Sequence, residues 1–217
     1  MRCDPDGANL ELVAWGIRNA FAIGFLPDGR LIAIDQGADD RGSRPVGNIP
    51  DLLFEVRAGA WYGWPDFIGG DPITSDEYVP TRGPRPSFVL ANHDELPPPE
   101  PALLRFPPHA AAVKFDVAPP NVAGWAGQLA IALFGDEAPM TAPEGSPRVG
   151  RGIARINPAD WSLHPLAAGP LDRPIDVRFA ADGAALYILD FGRFEMSTAG
   201  VVAEAGTGTL WKLALKQ

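Results

Sequence analysis

The chain has 217 residues, 46% of them hydrophobic and 21% charged, enough to bury a substantial core in one domain or two small ones, and a globular rather than a disordered composition. A net charge of −9 argues against nucleic acid, whose binders need basic patches to neutralise phosphate, and against an anionic membrane surface. One cysteine, Cys3, rules out an intrachain disulfide framework and a multi-thiolate metal site, and there is no apolar run of about 18 residues to span a membrane.

The 24 glycines and 24 prolines are spread along the whole chain, which suits many short strands joined by turns. Met1-Arg-Cys-Asp-Pro-Asp-Gly7 lacks the apolar core of a secretory signal and reads as a turn from the middle of a domain. Leu10–Ala14, Phe21–Phe25 and Leu31–Ile34 are expected strands, the last two separated by the turn Pro27-Asp28-Gly29. Residues 36–50 form a polar loop, 51–56 the next strand, and Gly59-Ala-Trp-Tyr-Gly-Trp-Pro65 an aromatic turn. Residues 66–104 read as an irregular insertion with few strand-like runs. Strands are then expected at 110–116, 127–134 and 152–156, with a polar loop at 135–151 before the last of them. The final group is 174–179, a turn at 181–183, 186–190, a loop at 191–207 and the closing strand 209–213.

Side by side these segments make three similar units: an approach strand, a glycine turn, a short buried strand, a polar loop and a closing strand. Asp-Gly before an apolar run that ends in Asp occurs twice, at 28–35 and 182–190. Radial repetition of four-stranded units is the signature of a β-propeller, the competing reading being a β-sandwich with ordinary hairpins. The expected fold is all-β, with antiparallel blades near 8–65, 105–160 and 171–217. Three blades fall short of the four to eight or so that close a ring, so another chain or further sequence is expected to supply the rest.

Gly16-Ile-Arg-Asn-Ala-Phe-Ala-Ile-Gly-Phe25, the Pro-Asp-Gly turn, Asp35-Gln-Gly-Ala-Asp39 and Gly59–Pro65 resemble, in order and spacing, the glucose/sorbosone dehydrogenase family of soluble quinoproteins. Arg173–Asp190 and Gly208–Leu213 resemble that family's last blade. The resemblance implies the C-terminal half of a six-bladed propeller that binds pyrroloquinoline quinone (PQQ) and calcium over its axis. It implies oxidation of a sugar or related alcohol by hydride transfer to the quinone, in the periplasm or outside the cell.

Under that resemblance Arg18 stabilises negative charge on a carbonyl oxygen, a task suited to a guanidinium that never loses its proton. Arg18, Asn19, Gln36 and Arg173 are the expected cofactor contacts, and the main-chain carbonyls of Gly37 and Ala38 the expected calcium ligands. Each has a plainer role available: an ion pair for Arg18, backbone ordering for Asn19, a strand-to-loop glycine for Gly37. Trp61, Tyr62 and Trp64 read as packing aromatics. Ile175 stands where a second arginine is expected, and the lysine of the preceding blade has no clear counterpart in 135–151. The family's histidine base lies on an early blade; of His93, His109 and His164 only His109 begins a blade here. The half-length chain is therefore expected to be weak or inactive alone, and the alternative is a non-enzymatic propeller module that recognises carbohydrate or protein.

Overall fold

The computed structural model describes residues 1–215 apart from 139, 142–144, 146, 167–168 and 198. Its strands are β1 (Ala20–Phe25), β2 (Leu31–Asp35), β3 (Leu52–Glu55), β4 (Phe67–Ile68), β5 (Asp71–Pro72), β6 (Leu104–Arg105), β7 (Ala112–Val117) and β8 (Leu129–Leu133). They continue with β9 (Gly152–Asn157), β10 (Ser162–Pro165), β11 (Pro174–Phe179), β12 (Ala185–Asp190), β13 (Phe194–Ser197), β14 (Gly200–Ala203) and β15 (Thr209–Ala214). Two single-turn 3-10 helices, at Asp76–Tyr78 and His93–Glu95, are the helices among the described residues.

The chain forms three antiparallel blades. The first is ordered β1-β2-β3-β6, the second β7-β8-β9-β10 reading outwards, and the third β11-β12-β15. The innermost strands β1, β7 and β11 lie next to one another, as in a fan opened about an axis. The all-β, partial-propeller expectation holds. The third blade has three strands among the described residues, with the hairpin β13-β14 set into the loop before β15.

Two boundaries differ from the expected ones. Leu10–Ala14 alternates like a strand, but Leu10 and Leu12 are exposed and only a single bridge, Arg2 to Glu11, forms there. Alternation without a surface to bury against does not hold a strand. The outer strand of the first blade is instead Leu104–Arg105, which pairs with Leu52 and Leu53. Residues 66–103 are thus a long excursion between the third and fourth strands of that blade. Likewise Ser162–Pro165 closes the second blade, pairing with β9.

Each inner strand starts with a register shift at the same place, between Ala20 and Ala22, Ala112 and Lys114, and Pro174 and Asp176. A bulge there bends the strand as it leaves the loop and raises its twist. Two apolar joints hold the fan. Ile32, Ile34 and Leu53 of the first blade meet Phe115, Leu129 and Ile131 of the second. Val113, Ala130, Ala132 and Ile153 on the second blade's other face meet Val177, Leu186 and Ile188 of the third. The outer face of β2 and β3 is covered by the excursion, where Ile49, Phe54, Tyr62, Ile73 and Tyr78 are buried together.

Candidate functional site

The same backbone contact recurs where each blade meets its polar loop. Gln36 N–H donates to Asn19 O (3.1 Å), Phe134 N–H to Ala111 O (2.9 Å) and Phe191 N–H to Arg173 O (2.9 Å). Asn19, Ala111 and Arg173 are therefore equivalent positions, as are Gly37, Gly135 and Gly192. A buried aspartate fixes this junction in two blades. Asp35 accepts from the N–H groups of Arg18 (3.2 Å) and Asn19 (2.5 Å). Asp190 accepts from Asp172 and Arg173 (2.8 Å each) and from Gly192 (2.9 Å). These two residues are the Asp ends of the phrase repeated in the sequence.

The second blade has Leu133 at that position, and its junction is fixed from outside. Asp51 accepts from Gly37 N–H (2.8 Å) with one oxygen and from Ala112 N–H (2.7 Å) with the other, tying the first blade's loop to the second blade's inner strand. Burial pushes the Asp51 carboxyl up to about 6, against the pull of those two N–H bonds, and the negative Asp35 adds to the rise.

Above these junctions lies a cavity of about 220 Å³, lined among others by Arg18, Asn19, Gln36, Gly37, Ala38 and His109. Five of the six expected site residues thus come together. Arg18 leans over the Trp64 ring, 5.4 Å from its centroid, and its Nη1 donates to the carbonyls of Gln36 (3.0 Å) and Gly37 (2.9 Å). Asn19 Nδ2 donates to Gln36 Oε1 (3.3 Å). Across the cavity Arg41 pairs with Asp39 (2.7 Å) and with Glu137 of the second blade (3.0 Å), while its Nη1 donates to Met196 Sδ of the third (3.1 Å). The three polar loops of the sequence therefore converge on one arginine.

His109 also lines this cavity, with Nδ1 4.0 Å from Asp39 Oδ1. Its backbone, at φ 65°, and that of Ala111, at φ 48°, lie in the left-handed region that non-glycine residues avoid. The sequence signal was its place at the head of a blade. His93 instead stacks on Phe88, 4.0 Å between ring centroids, and His164 is exposed on β10.

Arg173 lies apart from the other five, among the residues lining a second cavity of about 410 Å³ with Arg151, Asp172 and Arg193. It is 1% exposed, is sandwiched by the Phe134 and Phe194 rings, and donates to the carbonyls of Phe134 (3.1 Å), Asp136 and Phe194 (3.1 Å). Burial, helped by the nearby Arg151, lowers its pKa to about 10, so it stays charged at neutral pH. It is a strut between the second and third blades and does not line the cavity shared by the other five. The three aromatics pack as expected: Trp61 stacks on Trp15 at 5.3 Å, Tyr62 donates to Glu55 O (2.6 Å), and Trp64 underlies Arg18.

A fan of three- and four-stranded antiparallel blades with a polar cavity at one end of its inner strands is part of a β-propeller. No family model matches the sequence, and no curated protein matches it. Solved structures do match the fold. The PQQ-bound aldose sugar dehydrogenase of Streptomyces coelicolor aligns over 99% of this chain and 48% of its own, at 15% identity and a TM-score of 0.57. The apo soluble aldose sugar dehydrogenase of Escherichia coli aligns over 96% and 48%, at 17% identity and 0.59. The calcium structure of the Trichoderma reesei carbohydrate-active enzyme of family AA12 aligns over 85% and 51%, at 17% identity and 0.56. The chain has the fold of these proteins and spans about half their length.

Several groups expected at the ion and the cofactor are already hydrogen-bonded within the chain. Calcium takes six to eight oxygen ligands, several of them commonly carboxylates. Here the Gly37 carbonyl already serves a guanidinium, and no cluster of three acidic, histidine or cysteine side chains suited to a metal occurs among the described residues. Arg18 donates to two carbonyls through Nη1 alone, Arg41 pairs with two carboxylates and Arg173 donates to three carbonyls.

Proposed function

We propose that this chain is a half-scaffold of the PQQ-dependent sugar dehydrogenase kind whose cavity recognises sugar hydroxyls and which does not turn over quinone by itself. The observation that carries this reading is the commitment of Arg18. Its guanidinium is hydrogen-bonded to the carbonyls of Gln36 and Gly37, the second of them one of the two carbonyls, Gly37 and Ala38, expected to hold the ion.

What remains turned to the cavity suits a polyhydroxylated ligand. Asn19 and Gln36 carry amides that donate and accept, His109 an imidazole, and Arg18 and Arg41 further N–H groups. The Ala38 carbonyl lies on the same rim. His109 is the only imidazole lining the cavity among the described residues. The same inventory serves the alternative reading, a non-enzymatic carbohydrate-binding propeller module, and the committed arginines favour that alternative for the isolated half. Export to the periplasm or beyond accompanies the dehydrogenase reading and is checked by cell fractionation.

The test is to add PQQ, calcium and a panel of aldoses to the purified chain and to follow dye reduction and, separately, sugar binding by calorimetry. Binding without dye reduction, lost in Gln36→Ala, is the expected result. Sugar-dependent dye reduction well above a quinone-only control would disprove the inactive half, and absence of binding to every sugar would disprove the recognition.

A further inference from the structure

The charges lining the cavity of about 220 Å³ do not balance once its internal pairs are counted. Asp136 is matched by Arg148 (3.2 Å) and Arg151 (3.3 Å). That leaves Asp39, Asp51 and Glu137 against Arg18 and Arg41, with no lysine in the lining among the described residues. Asp51 spends both oxygens on the N–H groups of Gly37 and Ala112. The carboxylates with acceptor capacity to spare are therefore Asp39 and Glu137.

These two meet at Arg41, one from the polar loop of the first blade and one from that of the second. Asp39 Oδ2 takes the guanidinium through Nε (2.9 Å) and Nη2 (2.7 Å), while its Oδ1 lies 4.0 Å from His109 Nδ1, beyond hydrogen-bond reach. Glu137 Oε2 lies 3.0 Å from the same Nη2. One guanidinium thus serves two carboxylates, and Asp39 Oδ1 and Glu137 Oε1 accept no hydrogen bond among the described residues. The two side chains are 34% and 24% exposed, shielded enough for a charge placed beside them to count for more than at an open surface. Donors are committed by contrast: Arg18 Nη1 to two carbonyls, Arg41 to the carboxylates and Met196. The neutral amides of Asn19 and Gln36 are held by long bonds, Asn19 Nδ2 to Gln36 Oε1 at 3.3 Å and Gln36 Nε2 to the Ala112 carbonyl at 3.4 Å, which ligand hydroxyls can replace.

A ligand that completes this lining brings one positive charge to the carboxylate pair and neutral hydroxyls to the amides. We propose that the cavity takes an amino sugar in preference to neutral or acidic sugars, its ammonium at Asp39 and Glu137 and its hydroxyls at Asn19 and Gln36. An ammonium is a compact charge with three rotatable donors, so it can serve both spare oxygens at once. The net charge of −9 attracts a ligand of the same sign from a distance. This ligand class presupposes the sugar recognition proposed above.

Calorimetry of the purified chain with glucosamine, glucose and glucuronate at pH 7 separates the charge from the ring. Glucosamine is expected to bind about tenfold tighter than glucose, the scale of one charge-assisted hydrogen bond, and glucuronate to bind most weakly. Glu137→Gln and Asp39→Asn keep the side-chain shape and are each expected to lower the ratio of glucosamine to glucose affinity severalfold, with circular dichroism confirming the fold. Glucose or glucuronate bound as tightly as glucosamine would overturn the amino-sugar preference and leave sugar recognition standing. Failure to bind any of the three would overturn both. A glucosamine advantage untouched in both variants would overturn the assignment of the ammonium to Asp39 and Glu137.

Discussion

Asp51 is buried with two N–H donors and holds its proton more tightly in the folded chain than in the unfolded one. A carboxyl raised from 3.8 to about 6 contributes most stability below about pH 4, and that contribution falls as pH rises towards 6. About two pKa units correspond to roughly 3 kcal/mol. Urea unfolding of wild type and Asp51→Asn between pH 4 and 7 should therefore show a difference that narrows by about that amount as pH rises; a difference independent of pH would refute it. Gly16 has φ 76°, and a Cβ there would overlap the Trp61 ring. Gly16→Ala should cost about 2–4 kcal/mol by the same measurement, because strain and overlap act together. Arg18 and Arg173 illustrate the limit of residue-level reading. Both are arginines ahead of an inner strand, but Arg18 precedes its equivalent position by one residue while Arg173 occupies it. That one-residue difference sends one guanidinium to the cavity and the other into the joint.

At the scale of the element, the repeated phrase of turn, apolar run and Asp correctly marked β2 and β12. Its equivalent in the second blade was harder to see because Leu133 replaces the aspartate, the corresponding anchor being Asp51 from a neighbouring blade. Equivalent side chains of two blades give a sharp comparison, since Ile23 follows the bulge of β1 as Phe115 follows that of β7. Phe115→Ala, buried between the blades, should destabilise the folded chain by about 3–5 kcal/mol. Ile23→Ala, at an exposed side chain, should change the unfolding free energy by about 0.5 kcal/mol or less. Equal costs for the two variants would refute the equivalence. Short outer strands such as Leu104–Arg105 and Ser162–Pro165 carry too few residues for a periodic signal. Their pairing comes from the completed sheet beside them.

For the whole molecule, the central fact is a fan with two apolar joints inside, an excursion covering the outer face of β2 and β3, and exposed apolar side chains on β1 at one end and on β12 and β15 at the other. The acidic balance read from composition is distributed over loops and rims, while the cavity sits where three loops meet at Arg41. Arg41→Ala removes contacts to all three loops at once, and should lower sugar affinity without changing the spectrum of the folded blades; unchanged affinity in calorimetry would separate this arginine from the binding surface.

Strand periodicity, turn chemistry and the threefold repetition of units were enough, in the sequence by itself, to determine an all-β propeller-like fold, while the family resemblance singled out Arg18, Asn19, Gln36, Gly37 and Ala38, which line one cavity. Those are local patterns, carried by residues close together in the chain, and local sterics and alternation enforce them. Tertiary structure alone decided that 66–103 is an excursion inside a blade, that Arg173 is a buried strut, that Arg18 spends its hydrogen bonds on the chain's own carbonyls, and that Ile23 and Leu210 lie bare. Each of these depends on which distant surface is present to cover a side chain, and burial is a property of the packed molecule.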